Sequence, residues 1–447
     1  MKQLLLIVAS VGILLSATGQ TRFEGEILGA KNENLLLCEH FGEKVKVMDT
    51  LYLDEENRFL YHLNPAAPNG LYRLYVTESK WLEFVLGYNN VSFRTTAHSP
   101  LETIDVISSW QNKRLYKYLR IIDTNAEKKS ALQQFVEDYP ETDRLMKLSK
   151  KALEDMYDQE QGFLEDLRDD HPEAFVTRYL DFLYRKPKAY YLNENRTIRK
   201  QIISQKDWTD TLLLNSDAYS RSLINYLMLY ADPDEGREKL VMNYKVAIDS
   251  IFSFIPDGSP VYDYALLYLL EGFEQFEMEG LIMHMIKNYA DKCSETKGKL
   301  ENRISYYQKF HNGAKAPDFI CTDIEGEPVQ FYDHVHGKTL LVFWATWCGH
   351  CKQMNQALKQ IYPQLNQAGV DIVSVSLDDK PEDLKTYLGQ ADLPWPVWCD
   401  YQGWESPVAE MYSLYATPTM LLIDQEKTIQ GKPLNMNQLV YMIKDIR

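Results

Sequence analysis

The chain has 447 residues, of which 45% are hydrophobic and 25% are charged. The length is too great for one ordinary domain, and the composition is typical of folded proteins and not of disordered chains. The formal net charge of −16 argues against a nucleic-acid partner, since no basic stripe stands out that would neutralise phosphates.

The first residues predict export. Residues 1 to 19 contain an early lysine, an apolar run from Leu4 to about Leu15, and small residues up to Gly19. This is the pattern of a secretory signal peptide that is cleaved near Gly19. A membrane anchor is the alternative, but the run is shorter than the roughly 20 apolar residues that span a bilayer. We therefore expect no stable membrane insertion after cleavage, and a compartment in which disulfides persist.

Residues 20 to 98 are predicted to form a small antiparallel β-sandwich-like domain. Short β-branched and aromatic runs such as "FEGEILGA" and "LYRLYVTE" alternate with turn clusters such as "DEEN" and "NPAAPNG". This spacing is typical of strands joined by tight turns. The domain contains no cluster of residues that suggests chemistry.

Residues 99 to 312 are predicted to form an all-helical middle domain. In "ALQQFVEDY" and "AFVTRYLDFLY" apolar residues recur at spacings of three and four, which is the helical period. Tyrosines recur at the same spacing, and such stripes belong to a helical core far more often than to a substrate groove. Examples are Tyr179, Tyr184, Tyr226 and Tyr230.

Residues 313 to 447 are predicted to form an α/β domain with a central mixed sheet flanked by helices. The composition changes at Gly313 and Pro317. The runs "TLLVFWA" and "VDIVSVSL" are continuously apolar, as expected of central strands that are covered on both faces. A helical pattern lies between these two runs.

The sequence Cys348-Gly349-His350-Cys351 lies between the first of these strands and the helix. Cys348 should therefore fall at a helix N-terminus, where unpaired amide groups and the helix dipole stabilise a thiolate. This makes Cys348 the predicted attacking sulfur and Cys351, one turn later, the sulfur that resolves the mixed disulfide. Zinc is the main alternative, but it needs four ligands, and Cys321 and Cys399 are isolated. We expect no metal.

The motif "FWATWCGHC" and the later pair Thr417-Pro418 resemble the thioredoxin superfamily over roughly residues 314 to 447. The resemblance implies that Pro418 is a cis-proline lying against the dithiol, and that Thr417 offers backbone groups to an extended substrate chain. It also implies that Trp347, Gly349 and His350 belong to the substrate-binding surface.

Within this superfamily, "APDFICTDIEGEPVQFYDHVHGK" resembles the N-terminal hairpin of the TlpA/ResA branch and of the peroxiredoxins. The peroxiredoxin loop with its lone cysteine is absent, so the dithiol oxidoreductase is preferred. Two positions depart from the pattern, because Val342 and Met354 stand where related proteins have proton-accepting acids. Asp378 and Asp379 are candidate replacements, although acids at a strand end are ordinarily just solvated.

The front of the chain resembles a β-domain that exported proteins of Gram-negative bacteria place before such a domain. The resemblance rests on an "F-x-G-x-I-x-G" start from Phe23 to Gly29 and on a helical insert with a motif like "LLLNSDAY". It implies a periplasmic location and no particular activity.

These observations predict an exported thiol-disulfide oxidoreductase that acts on protein thiols or disulfides. It should need no cofactor beyond its own dithiol, and a membrane electron donor should recharge it. The alternative is an envelope binding protein whose N-terminal domains hold a ligand or partner and whose thioredoxin-like domain has little turnover.

Two further cysteines have two interpretations. The segments that contain Cys321 and Cys399 can run beside each other at one edge of the sheet in this type of fold. In an oxidising compartment the two thiols could then form a stabilising disulfide. They can equally pack as two buried thiols, since strand register is not visible in the sequence.

Overall fold

A computed structural model of the chain describes residues 21–30, 34–192, 197–232, 234–276, 278–294 and 297–445. The predicted signal peptide lies outside these residues. The chain divides into two compact units, one of Met1–Asp234 with Val246–Pro256 and one of Glu235–Lys245 with Asp257–Arg447. Among the described helices, none is both long and apolar enough to cross a bilayer.

The first unit begins with strands and one short helix. In chain order these are β1 (Arg22–Leu28), β2 (Leu35–Phe41), β3 (Lys44–Leu51), β4 (Arg58–His62), β5 (Gly70–Thr77), β6 (Lys80–Leu86), β7 (Val91–Thr96), α1 (Pro100–Thr103) and β8 (Asp105–Ser108). They form two four-stranded sheets with the orders β4-β1-β7-β8 and β3-β2-β5-β6. The pairs are antiparallel except β1 with β7, which run parallel. Strands of the opposite sheet separate these two in the chain, so no hairpin fixes their relative direction.

The two sheets share an aromatic core. Phe23 and Phe93 of one sheet contact Phe84 of the other, with ring centroids 5.0 and 4.6 Å apart. A side chain at Gly25 would place its Cβ 2.5 Å from the Phe93 ring, so this position requires glycine. The "F-x-G-x-I-x-G" start therefore supplies two buried side chains, Phe23 and Ile27, and a glycine against which the Phe93 ring packs. The predicted sandwich-like architecture is confirmed.

Helices follow the sheets in the first unit. They are α2 (Trp110–Asp138), α3 (Arg144–Asp170), α4 (Phe175–Tyr184), α5 (Lys188–Tyr191), α6 (Thr197–Ser204), α7 (Ala218–Met228) and the end of α8 (Arg237–Phe252). The buried Asn112 of α2 joins them to β6, because its side chain accepts from the Val85 N–H at 2.8 Å and donates to the Val85 carbonyl oxygen at 2.9 Å.

The second unit contains the start of α8, three helices and the α/β fold. Its remaining elements are α9 (Pro260–Gln275), α10 (Glu279–Tyr289), α11 (Lys297–Lys309), β9 (Ile320–Thr322), β10 (Pro328–Gln330), β11 (Lys338–Trp344), α12 (Gly349–Gln367), β12 (Val370–Ser376), α13 (Pro381–Ala391), β13 (Val397–Trp398), α14 (Pro407–Met411), β14 (Thr419–Ile423), β15 (Ile429–Gly431) and α15 (Met436–Asp445). The sheet order is β13-β12-β11-β14-β15.

Strand β11 is the centre of this sheet. It pairs parallel with β12 and antiparallel with β14, and all its residues from Thr339 to Trp344 are buried. The chain leaves its carboxyl end through a turn and enters α12. This confirms the predicted mixed sheet flanked by helices, and it places the dithiol at the end of the central strand.

Candidate active site

Cys348 and Cys351 lie at the start of α12 and are joined by a disulfide, with their Cα atoms 5.2 Å apart. Cys348 is the N-cap residue of the helix, and its Sγ accepts a hydrogen bond from the Cys351 N–H at 3.1 Å. When the pair is reduced, this N–H and the positive end of the helix dipole both favour a thiolate on Cys348.

The two sulfurs differ in access. Cys348 is half-buried, whereas Cys351 is 0% exposed. Gly349 and His350 are exposed between them, and Trp347 is 53% exposed before them. A substrate disulfide can therefore reach Cys348 from solvent. The buried Cys351 sulfur can react only with a disulfide that Cys348 has already formed.

The segment before β14 lies beside the dithiol. The Thr417–Pro418 peptide bond is cis, and both residues are half-buried. The Thr417 carbonyl oxygen is 3.6 Å from Cys348 Sγ, so a reduced Cys348 thiol can donate a hydrogen bond to it. The structure thus brings together the Cys348, Thr417 and Pro418 that the sequence indicated.

The interior around Cys351 is apolar at the two positions where the resemblance led us to expect acids. Val342 is 0% exposed and Met354 is 7% exposed, and Met354 packs in the same cluster as Cys351. One turn beyond Cys351, the buried Asn355 side chain donates to the Tyr387 hydroxyl at 3.5 Å. Asn355 Oδ1 has no hydrogen-bond partner among the described residues. Sequence reasoning missed this amide, although a polar residue on the apolar face of α12 was the available signal.

Asp378 lies two residues after the end of β12 and is 2% exposed. Its carboxyl oxygens accept hydrogen bonds from the Thr346 N–H at 3.0 Å, from the Thr346 hydroxyl at 2.5 Å and from the Ser376 hydroxyl. Asp379 is exposed. Among the described contacts, no hydrogen bond joins either acid to Cys348 or Cys351. A proton-accepting role stays a prediction, whereas the contacts of Asp378 hold the turn that leads to the dithiol.

A cavity of about 760 Å³ adjoins the dithiol within the second unit. His350 and Pro418 form one side, and helices α9 and α11 contribute the other. On that side the buried Glu274 accepts from Arg303 Nε at 2.7 Å and from the Tyr415 hydroxyl at 3.2 Å. The helices before the α/β fold therefore contact the segment that contains the cis-proline. Sequence reasoning missed this contact, because it joins residues 141 positions apart.

A second tryptophan lies near Trp347. The rings of Trp347 and Trp404 have centroids 6.1 Å apart, and Trp404 is 46% exposed. Exposed aromatic pairs are suited to docking a partner, because they bury a large apolar area at low entropic cost. Trp404 is distant from Trp347 in the sequence, so no local sequence pattern predicts that the two rings meet.

Cys321 and Cys399 are both buried free thiols, so the interpretation as a disulfide is wrong for this structure. Their segments do run side by side, since the Cys399 N–H donates to the Thr322 carbonyl oxygen at 2.9 Å. Burial is the main cause that raises the pKa of Cys321 to about 12 and that of Cys399 to about 11. The thiols pack as small apolar groups and do not ionise near neutral pH.

These pKa values predict selective alkylation. In the reduced, folded protein at pH 7.5, iodoacetamide should modify Cys348 and leave Cys321 and Cys399 unmodified, because only a thiolate reacts. Peptide mass spectrometry after a timed quench measures this, and the denatured protein, in which all six cysteines should react, is the control. Labelling of Cys321 as fast as Cys348 would contradict the assignment.

Comparison with known proteins gives relatives for part of the chain. Residues 312–432 match the model of the AhpC/TSA family. Thiol-disulfide oxidoreductase ResA of Bacillus cereus is 32% identical over 128 residues, which are 28% of this chain and 72% of that protein. ResA of Oceanobacillus iheyensis is 32% identical over 145 residues, which are 31% of this chain and 73% of that protein.

A solved thiol-disulfide oxidoreductase from Bacteroides fragilis is 25% identical, with a TM-score of 0.28, and covers 30% of this chain and 99% of its own. The ResA proteins are matched over more than two thirds of their own length. By the similarity to the ResA proteins and by the site at the end of β11, the chain belongs to the thiol-disulfide oxidoreductase family and has a thioredoxin-like domain at its C-terminal end.

Proposed function

We propose that the protein is exported to the periplasm and reduces protein disulfides through the Cys348–Cys351 dithiol. One observation carries this proposal. The accessible sulfur of Cys348 lies at a helix N-terminus, bonded to a fully buried Cys351 and 3.6 Å from the Thr417 carbonyl oxygen. This arrangement separates an attacking thiol from a resolving thiol, as disulfide exchange requires.

The exchange has two steps. The Cys348 thiolate attacks one sulfur of a substrate disulfide, so that a mixed disulfide forms and the other substrate sulfur leaves as a thiolate that takes a proton from solvent. The Cys351 thiolate then attacks Cys348 Sγ and releases the second substrate sulfur. Two electrons pass to the substrate, and the enzyme is left with the disulfide seen in the structure.

The substrate surface surrounds Cys348. Trp347, Gly349 and His350 border the sulfur on the helix side, and Thr417 and Pro418 border it on the strand side. In this proposal the backbone of Thr417 pairs with an extended substrate segment, and Trp404 adds apolar area beside Trp347. Asp378 and Asp379 remain candidates for accepting the proton of the Cys351 thiol.

A complete cycle needs a source of electrons. The dithiol itself serves as the redox group, so no separate cofactor is proposed, and a membrane electron donor returns the disulfide to the dithiol. Export rests on residues 1 to 19, whose apolar run and small residues match a cleaved signal peptide.

The substitution Thr417→Arg tests the substrate surface. A long charged side chain beside Cys348 should obstruct the docking of a protein substrate. We expect kcat/KM for the reduction of insulin disulfides to fall roughly tenfold, which corresponds to a rise of about 1.4 kcal/mol in the activation free energy. Reduction of a small aromatic disulfide should change little, because it needs no extended docking. Thr386→Arg, at an exposed position on α13, is the matched control. Equal losses with both disulfides would show damage to the dithiol and count against the surface.

A further inference from the structure

The first unit contains a cavity of about 970 Å³ between α2, α3, α4, α5 and α7. This volume lies in the range of small-molecule sites in proteins. Much of its wall is apolar or aromatic, with contributions from Leu119, Ile122, Leu183, Tyr184, Tyr190 and Leu229. Tyr184 therefore belongs to a cavity wall, although its spacing in the sequence is that of a core residue.

Lys186 lines this cavity just after α4. Among the residues that the structure describes, no acceptor or carboxylate pairs with its ammonium group, and Nζ lies 5.0 Å from the centroid of the Tyr190 ring. Burial, followed by the charge of Lys129, lowers the pKa of Lys186 to about 8. The ammonium form of a desolvated amine is stabilised when an anion binds beside it.

The other charged groups that line the cavity include no described carboxylate that pairs with Lys186. Glu160 is the buried acid nearby, and it already accepts hydrogen bonds from Lys129 at 3.0 Å and from the Tyr191 hydroxyl at 2.5 Å. It also accepts one from Asn125 at 3.0 Å. Lys186 therefore has no counterion among the described residues that line the cavity.

The rest of the charge around the cavity is either paired or at its rim. Arg221 lies 3.5 Å from Asp217 and donates to the Tyr184 hydroxyl. Lys206 donates to the Phe182 carbonyl oxygen, and burial, followed by the charge of Lys186, lowers its pKa well below the usual value. Arg120 donates to the Ile104 carbonyl oxygen, and the acids Glu102 and Asp123 are exposed. A cavity lysine that has no ion-pair partner in the part of the chain that the structure describes, in a protein of net charge −16, indicates a site for a negative ligand.

We propose that this cavity binds a small amphipathic anion, with a carboxylate or phosphate group at Lys186 and an apolar body against the leucines and tyrosines. The site belongs to the first unit, whereas the dithiol belongs to the second. The binding is therefore a property beyond disulfide exchange, and it gives residues before the thioredoxin-like domain a function of their own.

Calorimetric titration of the full chain with three ten-carbon probes tests the chemistry. Decanoate, decyl phosphate and decanol are used below the concentrations at which they aggregate. We expect at least one of the two anions to bind with one-to-one stoichiometry, and decanol to bind at least tenfold more weakly. Whichever anion binds more tightly shows whether the site prefers a carboxylate or a phosphate group. Equal binding of decanol, or no binding of any probe at 1 mM, would overturn the proposal.

The substitution Lys186→Met tests the residue. It removes a charge-assisted hydrogen bond, so binding of the preferred anion should weaken roughly ten- to a hundredfold, while insulin reduction stays unchanged. Lys128→Met, at an exposed lysine of α2, is the matched control and should bind normally. Unchanged affinity in folded Lys186→Met protein, verified by circular dichroism, would overturn the proposal.

Proton uptake provides a readout in the unaltered protein. A bound anion favours the charged ammonium and raises the pKa of Lys186, so at pH 8 binding should take up roughly half a proton, falling toward zero at pH 6. Tyr190 and Tyr191 have pKa values raised by burial and do not titrate there. The pKa of Lys206 is also lowered, so the uptake is assigned to Lys186 by its loss in the Lys186→Met protein. Titrations in buffers of different ionisation enthalpy measure the uptake, and its absence at pH 8 would contradict the role of Lys186.

Discussion

The Cys351→Ser protein should retain its substrates as mixed disulfides. Cys348 remains half-buried at the start of α12, so it can still attack, but no buried thiol is left to release the bound partner. The Cys348→Ser protein should form no such adducts, and its insulin reduction should fall at least roughly a thousandfold, because the accessible thiolate is absent. Non-reducing electrophoresis followed by mass spectrometry of the adducts measures both outcomes.

The matched control is Cys399→Ser, which removes a buried thiol outside the proposed exchange. It should form no more adducts than the unaltered protein does. Adducts in Cys348→Ser protein and none in Cys351→Ser protein would reverse the two roles. Insulin reduction that survives both substitutions would refute the proposed chemistry.

The Asp378→Asn protein should be markedly less stable. The carboxyl group accepts hydrogen bonds from the Thr346 N–H, the Thr346 hydroxyl and the Ser376 hydroxyl in a fully buried position. An amide keeps one acceptor oxygen and turns an N–H₂ group toward these donors, so at least one buried group loses its partner. We expect the free energy of unfolding to fall by about 2–4 kcal/mol, measured by urea denaturation with tryptophan fluorescence.

Asp379→Asn is the control for this substitution. Its side chain is exposed, so the free energy of unfolding should change by less than about 0.5 kcal/mol. The pH dependence of insulin reduction separates positioning from proton transfer. If Asp378 only holds the turn before the dithiol, folded Asp378→Asn protein keeps the shape of the pH profile, and loss of one limb of that profile would make Asp378 a proton acceptor instead.

Local sequence patterns were sufficient for the elements that build the dithiol. Strand β11 is apolar from Leu340 to Trp344, and α12 follows after a short turn. The position of Cys348 at a helix start was therefore predictable from periodicity and chain order. The same holds for the strands of the first unit, whose turns and alternating runs are visible in the sequence. The parallel pairing of β1 with β7 was not, because pairing between distant strands leaves no local signal.

Contacts between distant residues explain what the sequence did not show. Strand β8 lies beyond the expected end of the β-domain at residue 98, since four residues are too few for a clear alternating pattern. The hydrogen bond from Tyr415 to Glu274 and the pairing of Trp347 with Trp404 depend on tertiary packing alone. The position of Lys186 in a cavity, with no ion-pair partner among the described residues, is likewise a property of its surroundings, since nothing in the sequence distinguishes it from an exposed lysine.

A single-turnover reaction of the reduced, full-length protein with excess insulin tests the central claim most directly. After an acid quench and alkylation, peptide mapping counts the disulfides formed in the protein and the thiols released from insulin. We predict one Cys348–Cys351 disulfide for each insulin disulfide reduced, with Cys38, Cys293, Cys321 and Cys399 still reduced. Oxidation at any other pair, or insulin disulfides left intact while Cys348 and Cys351 stay reduced, would contradict the account.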